Sequence, residues 1–220
     1  TTVGTVDMSA TGSHVLDVTC TITGDANTGN DMISLAYTSP TQSPVTFGWT
    51  ENFDALPSGA AGSITLTDVP AGWDNAQDDS ASLSFTSNVD WGPLSGPTTS
   101  TNAGPLADNT TGAGIYMRIE DSSSQAGDIE LRTPCLDLSG STGSPTFQFF
   151  HHSRPVAGAS NDNILDIDVI DELSGGTVTM SVATFPGNGM IGWVPQSVNL
   201  TAFAGGLVRV QFRTNNNNAA

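Results

Sequence analysis

The sequence predicts an all-β protein, a two-sheet antiparallel β-sandwich of the jelly-roll kind. Three observations predict it. Short apolar runs alternate with polar residues at the period of a half-buried strand. Clusters of Gly, Pro, Asn and Asp separate those runs, with 24 glycines and 12 prolines in 220 residues. No stretch carries amphipathic helical spacing of useful length.

Residues 1–43 read as a separate unit. His14–Ile22 alternates, with Leu16, Val18, Cys20 and Ile22 on one face. Gly24–Asp31 is a turn, and Ile33, Leu35 and Tyr37 mark the returning strand. Such a hairpin is marginally stable alone. Thr38–Pro44 reads as a linker to a domain over 44–220. Asp25, Asn27, Gly29 and Asp31 have the alternate spacing of a calcium loop, but the bidentate Glu that closes such a loop does not follow. An Asx-rich turn explains the same residues.

From Val45 onward the predicted strands are Val45–Trp49, Ser63–Asp68, Ser82–Thr86, Ile115–Glu120, Asp128–Arg132, Thr146–His152, Ile164–Ile170, Thr177–Thr184, Trp193–Leu200 and Leu207–Arg213. Inward faces are predicted from alternation: Ile115, Met117 and Ile119; Ile129 and Leu131; Phe147 and Phe149; Leu165, Ile167 and Val169. Further along come Val178, Met180 and Val182, then Val198 and Leu200, then Val208, Val210 and Phe212. Faces of this size can close a two-sheet core.

Charge narrows the function. There are 22 acids against five arginines and no lysine, a net charge of −17. That surface disfavours nucleic acid and anionic membranes, whose phosphates need Lys and Arg. No apolar run approaches the ~18 residues of a membrane span. A surface so acidic suits an extracellular, secreted or cell-surface setting where divalent cations screen carboxylates. No signal peptide is present and the chain begins at Thr1, which suggests a mature or excised piece. Cys20 and Cys135 allow one disulfide or none.

No G-x-S-x-G, H-E-x-x-H or P-loop is present, so no enzyme is predicted. His151 and His152 are adjacent on a strand and point to opposite faces, so they cannot chelate one metal together. His151 shares a side with Phe147 and Phe149 and reads as a core histidine. An acid–base alternative would pair His152 with Asp166 or Asp168. Asp108 and Asn109 in a Gly-rich loop before a strand can orient backbone or bind a hard cation, or Asp108 can simply cap its own turn.

Two resemblances extend this reading. The Gly24–Asp31 turn resembles the one joining the last two strands of Ig-like modules in bacterial surface proteins, which implies that the rest of such a module lies upstream. From Glu51 to Arg213 the order of motifs resembles a MAM domain and the related bacterial cleaved-adhesin modules. The matching motifs are Asn52-Phe53-Asp54, Gly72-Trp73, Asp90-Trp91, Gly104-Pro105, Asp108-Asn109-Thr110, Gly112–Glu120, Leu131–Pro134, Thr146–His152 and Ile164–Val169, with Trp193 following. The departures are the family's missing cysteines, a longer segment between Trp73 and Trp91, and an acidic closing strand absent after Arg213-Thr214.

The resemblance implies a non-catalytic adhesion or interaction module with a structural Ca²⁺. The matching positions are Asp54 and Asp108, then Asp90 and Glu51. The expected partner is a protein or glycan at a cell surface. Two other readings stand beside it. One is a carbohydrate-binding jelly roll on a secreted enzyme, stacking sugars on Trp49, Trp73, Trp91, Trp193 or Tyr116. The other is a filament subunit that self-associates by β-strand addition at open sheet edges.

Overall fold

The computed structural model describes residues 12–19, 32–39, 44–57, 69–75, 91–98, 104–119, 128–141, 143–153, 164–187 and 192–215. The predicted strands Ser63–Asp68 and Ser82–Thr86, the Gly24–Asp31 turn, Cys20, Asp90 and Glu120 lie outside the described residues. The chain divides into two units, Thr1–Ser43 and Pro44–Ala220.

In the first unit, β1 (Gly12–Thr19) and β2 (Met32–Ser39) pair antiparallel with Leu16 opposite Leu35 and Val18 opposite Ile33. This register sets predicted positions of the two strands opposite one another. Val15, Val18, Met32 and Ile33 are nonetheless exposed.

The second unit is all-β. Its strands are β3 (Gly92–Ser95), β4 (Ile115–Arg118), β5 (Asp128–Arg132), β6 (Leu136–Asp137), β7 (Thr146–His151), β8 (Leu165–Asp171), β9 (Thr177–Phe185), β10 (Val194–Asn199) and β11 (Leu207–Asn215). The main sheet runs β5-β11-β8-β9, with β6 also on β11. β7 pairs β10, and β3 pairs β4. Among the described residues every strand pairing is antiparallel. Among the described residues no helix is long and apolar enough to cross a membrane.

The core lies between the main sheet and the β7–β10 pair. Leu131, Leu165, Ile167, Val169, Val208, Val210 and Phe212 meet Val198, Leu200, Phe147 and Phe149 there. Phe212 is the hub. Its ring lies 5.2 Å from Phe149, 5.9 Å from Phe147, 6.3 Å from Trp91 and 6.4 Å from Trp73. The first two contacts join one layer to the other, largely edge to face, the geometry that aromatic quadrupoles favour.

The main sheet has a second, polar side built by register. Gln211 of β11 lies opposite Arg132 of β5 and Asp168 of β8. Two residues along, Arg213 lies opposite Glu130 and Asp166. The Arg132 Nε donates to Gln211 Oε1 at 2.7 Å, and Gln211 Nε2 donates to Asp168 Oδ2 at 2.9 Å. Arg213 grips Asp168 with Nε at 2.7 Å and Nη2 at 3.1 Å, and sits 3.3 Å from Asp166 and 3.7 Å from Asp128. Asp168 is wholly buried, so it needs all of these donors.

The fourth donor to Asp168 comes from a bulge. Ile167 pairs Ala183 but Val169 pairs Thr179, so three β9 residues face Asp168 alone. Ser181 takes φ +49° there and turns its N–H to Asp168 Oδ1 at 2.7 Å. A non-glycine residue in that region carries backbone strain, and a buried carboxylate compensates it.

Several local readings differ from expectation. Val45–Trp49 is not a strand; Val45 makes one parallel bridge to Leu136, donating to Cys135 O and accepting from Asp137 N. β3 and β6 were not predicted. On β4 both sides are covered: Met117, on the predicted inward face, packs against the core, and Tyr116 and Arg118 are buried on the other side. The Tyr116 hydroxyl donates to Gly96 O at 2.8 Å, which satisfies the polar tip of that buried ring. On β9 the bulge breaks the alternation: Val178 and Met180 are exposed while Val182, Ala183 and Phe185 meet the core.

Replacing Asp168 with Ala leaves Arg213 buried without its main partner, and the expected loss is about 3–5 kcal/mol in urea unfolding. The pH dependence follows the sign of the shift. Burial opposes the charge on Asp168, but Arg213, the Ser181 amide and Gln211 together hold its carboxyl below the usual carboxylate range. This contribution is therefore complete above the unfolded carboxylate pKa of about 4 and is lost as pH falls further. Acid titration of the unfolding midpoint should show a steeper loss in the wild type than in Asp168→Ala, which keeps the contribution of Asp108.

Candidate functional site

The candidate site begins with two turns. Glu51-Asn52-Phe53-Asp54 turns on itself: Phe53 takes φ +64° and donates its N–H to Glu51 Oε1 at 2.7 Å. The Asp54 N–H goes to Asn52 Oδ1 at 3.2 Å, and Asn52 Nδ2 donates to Asp54 Oδ2 at 3.0 Å. The Phe53 ring packs 5.1 Å from Trp73, which stacks on Phe212. Packing against the core thus offsets the strain at Phe53 and fixes where Asp54 points.

The second turn is wound around Asp108. Its Oδ2 accepts from the Thr110 hydroxyl at 2.6 Å, the Thr111 N–H at 2.7 Å and the Thr110 N–H at 2.9 Å. Its Oδ1 accepts from the Gly114 N–H at 2.7 Å. The Thr111 hydroxyl lies 3.2 Å from both oxygens. Burial alone would raise this carboxyl, but the Thr110 hydroxyl and the amides of Thr111, Gly114 and Thr110 outweigh it and hold the group far below the carboxylate range. The Asx capping weighed for Asp108 is what these bonds describe.

The two turns meet at successive amides. Gly114 N–H goes to Asp108, and the next amide, Ile115 N–H, goes to Asp54 Oδ1 at 2.8 Å. A side chain at 114 would collide with Asp54 Oδ1 and would sit 3.0 Å from the Thr111 hydroxyl, so any other residue must displace Asp54. Of the four predicted metal residues, Asp54 and Asp108 are brought together and Glu51 lies in the same turn as Asp54. Asp90 lies outside the described residues.

Trp193 anchors the loop from the other side. Its Nε1 donates to Ala107 O at 2.8 Å, and its ring lies 5.6 Å from Tyr116 and 5.6 Å from His152. Burial pushes the Tyr116 phenol up to about 12, with Arg118 partly offsetting it, so it stays a neutral donor to Gly96. Sequence reasoning missed this supporting role of Trp193, because an indole N–H donating to a distant loop carbonyl has no local signature.

The other predicted groups have structural partners. Trp49, Trp73 and Trp91 pack against the core and Tyr116 is buried, which removes four of the five stacking candidates from open surface. Asp166 accepts from Thr184 Oγ1 at 2.6 Å and faces Arg213, as Asp168 does, so both acids of the acid–base alternative are tied to their own sheet. Cys135 is a free thiol whose pKa burial raises, the direction of an unreactive group.

The donor set has the hard oxygen chemistry of a calcium site in part. Glu51, Asn52 and Asp54 place side-chain oxygens on one turn, where they accept from Phe53, Asp54, Asn52 and Ile115 donors, while the oxygens of Asp108 accept from donors of their own loop. Among the described residues no three His, Cys, Asp or Glu side chains gather as a metal cluster.

Compared with protein-family models and with curated proteins, the chain matches none.

Gly114→Ala tests the junction. Displacing Asp54 from the Ile115 amide should cost about 1–3 kcal/mol. Hydrogen exchange should show it as faster exchange at Gly114 and Ile115, with the β8 and β11 amides little changed.

Proposed function

We infer that this protein is a non-catalytic extracellular module for adhesion or protein–protein interaction, with a jelly-roll sandwich as its rigid body and Ca²⁺ as a stabiliser of the Glu51–Asp54 turn. One observation carries the reading: Asp54 and Asp108, from turns far apart in the chain, hold successive amides at the head of β4. These carboxylates join loops to a sandwich rather than converge on an open cleft. The acids of the main sheet are engaged in the same way, against arginine.

Calcium would be held by Asp54 and Glu51 with the Asn52 side-chain carbonyl, and Asp108 would shape the adjoining loop. Bound there, the ion supplies positive charge to a surface of net charge −17 and ties the turn to its neighbour. The resemblance to MAM and cleaved-adhesin modules supports the same role. A cell-surface protein or glycan is the partner class, and a secreted, surface-exposed location suits the charge.

Calorimetry and thermal melts in Ca²⁺ and in chelator test the ion. A heat of binding should appear, and at a hundredfold excess over Kd the stabilisation should be about 2.7 kcal/mol. Asp54→Asn should remove most of it. No heat and no change in Tm would end the calcium reading. A glycan array addresses the partner: sugar binding lost on replacing one tryptophan would favour the carbohydrate-binding reading instead.

A further inference from the structure

We propose that His151 makes the seam between the β7–β10 layer and β9 a pH-sensitive joint, closed while its imidazole is neutral and loosened when it is protonated. This goes beyond the adhesion reading and does not depend on it.

The geometry is that of a titratable ring built into an apolar seam. β7 carries Phe147, Phe149 and His151 on one side, and the first two lie against Phe212. At the end of that row the His151 ring lies 6.3 Å from Phe185 of β9, and Phe149 lies 5.5 Å from the same ring. His151 therefore stands between two layers. Its Nδ1 is buried and makes no hydrogen bond among the described residues.

A neutral imidazole tolerates such a place, but an imidazolium needs an acceptor or a carboxylate for each N–H. Among the described residues the side chains that pack against the ring carry no carboxylate. β10 places Val194 opposite it, β9 presents Phe185, and its own strand presents Phe149. The charged group that bears on it is His152, of like sign when protonated. Burial, reinforced by His152, lowers the His151 pKa from the ordinary value to about 4.

The sign follows from which state binds the proton. The unfolded or opened chain takes it up below the ordinary histidine value of about 6.5, while the closed seam resists down to about 4. Stability is therefore full above that window and falls as pH drops through it. One proton raises the opening equilibrium by at most about tenfold per pH unit.

The test is urea unfolding and amide exchange of the full chain from about pH 7.5 to 4.5, beside an NMR titration of its histidine rings. The expected result is an unfolding constant that rises from about pH 6.5 downward, with β7 and β10 amides losing protection first. His151→Phe keeps a ring in the seam and should flatten that slope. An unchanged slope in His151→Phe would overturn the proposal. So would a wild-type His151 ring titrating at its ordinary value, a readout that stands even if the variant does not fold.

Discussion

β11 is the strand on which both faces of the sandwich depend, and Phe212 is its decisive contact. Four aromatic rings surround that one side chain, two from β7 across the layer gap and two from the segments leading into and out of the region before β3. Each such pair contributes about 0.5–1.5 kcal/mol beyond the area it buries. Trp73 then transmits the position of Phe212 to Phe53, and Phe53 fixes the turn that carries Asp54. A surface loop thus inherits its geometry from the centre of the core.

The neighbour of Phe212 does the opposite work on the opposite face. Arg213 brings a cation under the sheet and draws Asp166, Asp168 and Asp128 around it. A buried pair of this kind adds little net stability over an apolar pair, because desolvation cancels much of the attraction. Its value here is positional. Asp168 can be satisfied in one arrangement of β8, β9 and β11, and that arrangement includes the Ser181 bulge. Register is therefore specified by charge as well as by the apolar face.

Much of this was legible in the sequence, for physical reasons that also explain the rest. In β8, β10 and β11, period-two alternation named the core side chains correctly because one face had to be buried. β3 was missed because Gly92-Pro93-Leu94-Ser95 has no alternation and carries a proline. The β9 face was misread before Ser181, at Val178 and Met180, since nothing in Met180-Ser181-Val182 marks a serine at φ +49°. The burial of Tyr116 on the other side of β4 was missed because its polar tip finds an acceptor only in the fold. Asp54 and Asp108 were named together as expected metal residues, but their attachment to the successive amides of Gly114 and Ile115 was not foreseen. Hydrogen bonds between distant turns leave no periodic trace.

The bulge in β9 has a consequence for crowding. Among the described residues β9 has one strand neighbour, β8, and its outer flank carries Val178 and Met180. A straight flank of that kind would be a template for another molecule's backbone. Here the flank is bent midway at Ser181, where the amide turns inward to Asp168 instead of outward. An arriving strand could zip along only half the length before the ladder fails. A carboxylate buried beneath the sheet thereby acts at its rim, discouraging the stacking that a surface with exposed valine and methionine would otherwise invite.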